Sequence, residues 1–292
     1  MLDELVDLSN SKVRIRRRQS ESGEAAVFIH GLGASGHNWF PLMNHLSELD
    51  MTAIDLPGFG QSAPPVDGDH SPKNFAQISA ELIQKVYPGK TVHLFGNSLG
   101  GAISVQLAAR YPELIKSLTL ISPALPTLYP HFSATPVVLS AIPKLGEKFM
   151  ERYFLLTPLE RARNTIKTTF ADAKNAPENW EQAIANELAL RDGQPHQLAS
   201  MLATLRALLS TFTDRTQENA WNLVQKIQAP TMFIYGEKDK LVHSRAAKKA
   251  RTNSPSAVVQ VWSDTAHVAH IEHAERVAKE FSQNLLQNLA TY

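Results

Sequence analysis

The chain has 292 residues, of which 43% are hydrophobic and 20% charged, a globular composition long enough for one large core or one core plus a sizeable insertion. Lys plus Arg total 29 against 28 Asp plus Glu, so no net field draws the whole molecule to nucleic acid or to a charged surface. Cysteine is absent, which excludes disulfides, thiolate nucleophiles and cysteine-ligated metal. The opening Met1-Leu2-Asp3-Glu4-Leu5 is acidic where a secretory leader is basic and then apolar, and the reading is a cytoplasmic protein.

In chain order, Val13 and Ile15 alternate with the basic run Arg14 to Arg18, the pattern of an edge strand with one solvated face. Short aliphatic runs follow at residues 25–29, 51–55, 91–95, 117–121, 231–235 and 257–261. Stretches with helical spacing lie near 39–49, 72–86, 99–110, 244–252 and 273–289. Strand and helix in alternation predict a mostly parallel α/β sheet flanked by helices.

The alternation breaks between residues 121 and 231, where the chain reads as helical throughout. Thr157-Pro158-Leu159-Glu160 has the capping-box pattern with proline at the first helical position. After Pro195, Leu198, Met201, Leu202, Leu205, Leu208, Leu209 and Phe212 mark an amphipathic helix. This block is read as an inserted helical cap over residues 124–225, on a core made of 1–123 and 226–292. It lies over the sheet edge at which parallel sheets bind ligands. Its most apolar stretch, residues 125–143, holds Pro126, Pro130, Pro136, Pro143 and His131, which no spanning helix would carry, so no transmembrane segment is expected.

Gly96-Asn97-Ser98-Leu99-Gly100 sits between a predicted strand and a predicted helix, the context of a G-x-S-x-G nucleophile elbow. A turn that tight leaves no room for a side chain two residues either side of Ser98, and its strain exposes Oγ. A serine hydroxyl needs a base, and in such sites the partners follow in the order serine, acid, histidine. Asp239, just past the strand at 231–235, and His267, past the strand at 257–261, are the candidates, with Glu237 the competing acid. His270 and His273 follow His267 at intervals of three. Imidazoles so spaced drift around a helix, so a zinc site is set aside in favour of packing for His270 and a surface place for His273. His30-Gly31-Leu32-Gly33 follows the strand at 25–29 and lets the backbone approach a reacting centre. The oxyanion donors are assigned to the N–H groups of Leu32 and Leu99, and His30 to holding the loop.

These segments resemble those of α/β-hydrolases: Phe28-Ile29-His30-Gly31-Leu32-Gly33, Asp55-Leu56-Pro57-Gly58-Phe59-Gly60-Gln61-Ser62, Gly96-Asn97-Ser98-Leu99-Gly100-Gly101, Gly236-Glu237-Lys238-Asp239 and His267-Val268-Ala269-His270-Ile271-Glu272-His273. The resemblance spans residues 25–289 apart from the cap and implies a serine hydrolase with the triad Ser98, Asp239 and His267. Ala266 stands where that family usually has glycine. Serine at 98 departs from the aspartate of haloalkane dehalogenases and epoxide hydrolases. Asn97-Ser98 with a long helical cap is similar to the carbon–carbon bond hydrolases of aromatic degradation, but Val268 replaces the tryptophan that follows their histidine.

The expected function is therefore ester hydrolysis through an acyl-enzyme, without cofactor or metal. The same triad acting on a vinylogous diketone is the alternative. Acyl transfer, cofactor-free haloperoxidation and a non-catalytic binding protein on this scaffold stand further off. The partner is expected to be a small-molecule ester. Leu125, Leu128, Tyr129, Phe132, Val137, Val138, Leu139, Ile142, Phe149, Tyr153 and Phe154 suggest an apolar acyl pocket of short to medium length.

Overall fold

A computed structural model describes residues 1–20, 23–127, 135–216 and 218–286. Its strands are β1 (Leu2–Asp7), β2 (Lys12–Arg18), β3 (Ala25–Ile29), β4 (Asp50–Ile54), β5 (Val92–Asn97), β6 (Ile115–Ile121), β7 (Thr231–Gly236) and β8 (Val258–Trp262). They form an eight-stranded sheet in the order β1-β2-β4-β3-β5-β6-β7-β8. The pairings of β2 with β1 and with β4 are antiparallel, and the others are parallel. The expected mostly parallel sheet flanked by helices is therefore the fold.

Strand alternation divides the core in two. Val27 and Ile29 face α2 (Pro72–Val86), α3 (Leu99–Arg110), α9 (Ala220–Val224) and α10 (Ala246–Asn253). Ala26 and Phe28 face Trp39, Leu42 and Leu46, with Val277 and Phe281 of α12 (Ala274–Phe281). Both strand faces are buried, as the crossovers of a parallel sheet require.

Three expectations are corrected here. The helix near 39–49 reduces to a 3-10 turn (Gly36–Trp39) and α1 (Phe40–Met43), with Pro41 in the first turn of α1, where its missing N–H is tolerated. Leu42, Met43, Leu46 and Leu49 keep helical spacing and are buried, but hydrogen-bonded turns carry the chain onward. The last helix stops at Phe281 and passes into a wider turn over Ser282–Leu286, and 287–289 lie outside the described residues. Nor is β2 the edge. β1 covers it, and Arg16 is buried, with Nη1 2.6 Å from Asp55 Oδ1 and Nη2 2.7 Å from Glu187 Oε2.

Between β6 and β7 lies the helical insert: α4 (Thr135–Leu139), α5 (Leu145–Phe154), α6 (Pro158–Thr169), α7 (Trp180–Asp192), α8 (Gln197–Thr213) and then α9. The capping box forms as read, with Glu160 N donating to Thr157 Oγ1 at 3.2 Å and Thr157 N to Glu160 Oε2 at 2.8 Å. The insert grips the core by polar contacts. The Thr169 carbonyl accepts from His267 N at 3.0 Å, Ala171 N donates to Glu272 Oε1 at 2.7 Å, and Arg191 Nη1 donates to Gly33 O at 2.5 Å.

Asp55 is fully buried, and Arg16 is its near cation, with Arg14 farther off at 3.9 Å and the N–H groups of Gly36 and Gln61 also donating to it. Replacing Arg16 with Met removes the close partner of both Asp55 and Glu187 and should cost about 3–5 kcal/mol in urea unfolding. Lys12→Met, which removes an exposed pairing with Asp7, should change stability by less than about 1 kcal/mol.

Candidate active site

The turn out of β5 is fixed by contact between backbones. A Cβ at Gly100 would lie 2.0 Å from Ile29 O, and one at Gly96 would lie 2.6 Å from Gly100 O. Ser98 accordingly takes φ 54° and ψ −117°, a region that residues with a side chain rarely occupy. It stays half-exposed while Asn97 and Leu99 on either side are buried. Its backbone is pinned, with Ser98 N donating to Ile121 O at 3.1 Å and Ser98 O accepting from Ala124 N at 2.9 Å.

Asp239 and His267 arrive at the same sheet edge from the loops after β7 and β8. His267 Nδ1 lies 2.8 Å from Asp239 Oδ2, and both residues are buried. Asp239 Oδ1 accepts the N–H groups of Leu241 at 2.8 Å and Val242 at 3.0 Å. Burial alone would raise the Asp239 pKa. The charge and hydrogen bond of His267, with the two amides, outweigh it and hold the carboxyl below its ordinary value. An ionised Asp239 can only accept, so Nδ1 carries a proton, which in the neutral tautomer leaves the lone pair on Nε2. Glu237, the competing acid, is exposed.

Asn97 entered the sequence reading only through the Asn97-Ser98 pair, with no positioning role assigned to its side chain. Its Nδ2 donates to His267 O and to Ile121 O, each at 3.0 Å. One amide thus ties the histidine loop to the residue preceding Ser98. Among the described residues Ser98 Oγ makes no hydrogen bond to the imidazole, a spacing common before substrate arrives.

The loop after β3 packs onto the elbow: a Cβ at Gly31 would lie 3.2 Å from Ser98 Cβ. The N–H groups of Leu32 and Leu99 donate to no protein acceptor among the described residues. His30 holds this loop. Its Nδ1 lies 2.7 Å from Gly31 O, and its Nε2 accepts Leu56 N–H at 2.9 Å. From the insert, Arg191 binds Gly33 O, and Glu187 Oε2 accepts from Ser35 Oγ at 2.8 Å as well as from Arg16. Neither Arg191 nor Glu187 stood out in the sequence, since a charge on a helix ordinarily faces water.

The three spaced histidines diverge. His270 is buried against Trp39 with ring centroids 4.2 Å apart, as a packing residue. His273 is half-buried rather than on the surface, edge-on to Trp262 and 4.0 Å from Asp264. A cleft of about 520 Å³, lined in part by His45, Pro177, His273 and Arg276, includes none of Ser98, Asp239 or His267.

The expected acyl-pocket residues are redistributed. Leu125 lies in the core beside α8, while Val138, Leu139, Ile142 and Phe149 face solvent. Leu128, Tyr129, Phe132 and the side chain of Val137 lie outside the described residues. The apolar surface next to the site comes instead from α8: a Cβ at Gly33 would lie 2.8 Å from Met201 Cε, and Leu205 and Leu208 are buried.

Residues 26–274 match the model of the α/β hydrolase fold family, and the chain belongs to that family. It is a hydrolase. It is 26% identical over 275 residues to Lipase 3 of Moraxella sp. (strain TA144), covering 94% of this chain and 81% of that protein. It is likewise 26% identical over 274 residues to a 2-hydroxy-6-oxononadienedioate/2-hydroxy-6-oxononatrienedioate hydrolase of Burkholderia vietnamiensis (strain G4 / LMG 22486), covering 91% of this chain and 88% of that one. Among solved structures, that of a membrane phospholipase A superposes with a TM-score of 0.79 at 23% identity, covering 100% of this chain and 87% of the other.

Burial holds two histidines neutral: His30 is lowered to about 4 and His270 to about 3, the latter also by the nearby His267. In the unfolded chain both titrate near 6.5. The unfolded state therefore binds more protons below that pH, and stability falls as protons are added. Thermal unfolding should show full stability above about pH 6.5 and a progressive fall in Tm toward pH 4, with a further loss toward pH 3.

Proposed function

We propose that this chain hydrolyses carboxylic esters through an acyl-enzyme, with Ser98 as nucleophile, His267 as general base and Asp239 as the residue that orients it. The observation that carries the reading is the buried Asp239–His267 hydrogen bond, tied through Asn97 to the strained turn that exposes Ser98. Residues 124–225 act as a cap over a core of 1–123 and 226–292. No cofactor or metal is called on, and the lack of cysteine suits a reducing compartment such as the cytoplasm.

In this reading His267 Nε2 takes the Ser98 proton as Oγ adds to the ester carbonyl, and Asp239 stabilises the imidazolium. The negative oxygen forms between the N–H groups of Leu32 and Leu99, which no acceptor among the described residues claims. Collapse expels the alcohol, which takes the proton from His267 and leaves the acyl group on Ser98. Water, deprotonated by His267, then releases the acid and restores the serine. The acyl chain lies along Met201 and its apolar neighbours on α8, which supports a short to medium apolar group.

The second reading, cleavage of a carbon–carbon bond in a vinylogous diketone, is favoured by the Asn97-Ser98 pair and by the Burkholderia relative. Val268 weighs against it. A binding protein without catalysis would have no use for the buried acid–imidazole pair.

Turnover of p-nitrophenyl acetate, butyrate, octanoate and palmitate should give a maximum of kcat/KM among the middle substrates, with no action on a dienone diketone. Asp239→Asn should lower kcat by about 10⁴, since the wrong tautomer is then favoured. His267→Ala should abolish most turnover, whereas folded His273→Ala retains it. Cleavage of the diketone without ester turnover would replace the ester reading by the carbon–carbon one.

A further inference from the structure

The outward face of α4 and α5 holds side chains that neither the core nor the site uses. Val138, Leu139, Ile142, Leu145 and Phe149 are 39%, 46%, 45%, 51% and 49% exposed. On α5 the inward positions are Gly146 and Met150, both buried. Glu147 turns to Arg206 of α8, whose Nη2 lies 2.7 Å away, and Arg206 Nε also donates to Ala141 O at 2.9 Å. That leaves Leu145, Lys148, Phe149 and Arg152 outward, at spacings of three, four and seven from Leu145. Lys144, immediately before the helix, is exposed as well.

We infer that this face docks the protein on an anionic phospholipid surface. Large apolar side chains interspersed with Lys and Arg are the chemistry of a helix lying in the membrane interface. The apolar groups enter the acyl boundary, and the aliphatic stems of Lys and Arg lie alongside them with the charges at the level of the phosphates. Lys144, Lys148 and Arg152 outnumber the exposed Glu151, and Glu147 is neutralised by Arg206, so the patch is cationic although the whole chain is nearly neutral. The same charges disfavour a second copy of this chain as occupant, because a two-fold contact would set these cations against themselves. The face is turned away from the site, since α8 presents Met201 to Gly33 and Ser200 to Gly58 while Arg206 meets α5. No helix among the described residues is long and apolar enough to cross a membrane, so the contact is peripheral.

The inference does not rest on the reading of Ser98, and its test measures binding alone. The full chain is mixed with sucrose-loaded vesicles of phosphatidylcholine, or of phosphatidylcholine and phosphatidylglycerol at three to one, and pelleted. The chain should pellet with the phosphatidylglycerol vesicles and much less with phosphatidylcholine alone. Lys144→Glu/Lys148→Glu should weaken anionic binding by at least roughly 25-fold, at about fivefold per cation. Leu145→Ser/Phe149→Ser should weaken it by roughly tenfold or more. Unchanged circular dichroism and Tm establish that the variants are folded, and exposed positions make that the expected result. Failure of the parent chain to pellet, or equal pelleting of parent and folded variants, overturns the inference. So does a concentration-dependent dimer in light scattering that Leu145→Ser/Phe149→Ser abolishes.

Discussion

The turn from β5 into α3 constrains everything around it. With Gly100 against the Ile29 carbonyl and Gly96 against Gly100, strand, turn and helix can meet in only one arrangement, and Ser98 is left at its apex with a backbone that costs energy to hold. That cost is of order 1–3 kcal/mol, and it is offset by the packing of α3, almost every residue of which is buried. Because the sheet is parallel here, β6, β7 and β8 all end beside this apex. Loops leaving those strands therefore deliver Asp239 and His267 without long excursions.

Delivery to the same edge does not by itself set the geometry, and the polar contacts do the rest. Asn97 binds the His267 carbonyl, the Thr169 carbonyl binds the His267 N–H, and Asp239 is oriented by two amides and the imidazole. On the other side, His30 and Arg191 hold the loop of Gly31 and Gly33, while Arg16 links Asp55 of the core to Glu187 of the insert. The helical insert thus holds the loops on both sides of the candidate site. Of its buried cations, Arg161 pairs with Asp192, whereas Arg191 forms no ion pair among the described residues and is held by the Gly33 carbonyl.

Much of this was legible in the sequence because local chemistry specified it. The strands of the parallel sheet, α2, α3, the Thr157 capping box and the stripe of α8 each follow from residue type and spacing. So do the positions of Ser98, Asp239 and His267 at strand ends. What was not legible depended on distant partners. Arg16 reads as a solvated cation until Asp55 and Glu187 close on it, and nothing near Asn97 in the sequence announces its hydrogen bond to the histidine loop 170 residues away. The strand β1 alternates too weakly to announce itself, since Leu2 and Leu5 remain exposed. The exposure of Val138, Leu139, Ile142 and Phe149 was not legible either, because composition does not say which way an apolar side chain faces.

The central proposal is that this fold strains Ser98 into reactivity beside a buried acid–imidazole pair. The most direct measurement is covalent labelling by a fluorophosphonate, read by intact mass and peptide mapping on the native protein and on Ser98→Ala. One label per chain, located on Ser98 and absent from Ser98→Ala, is the predicted result. A native protein that takes no label, or a label on another residue with turnover preserved in Ser98→Ala, would contradict it.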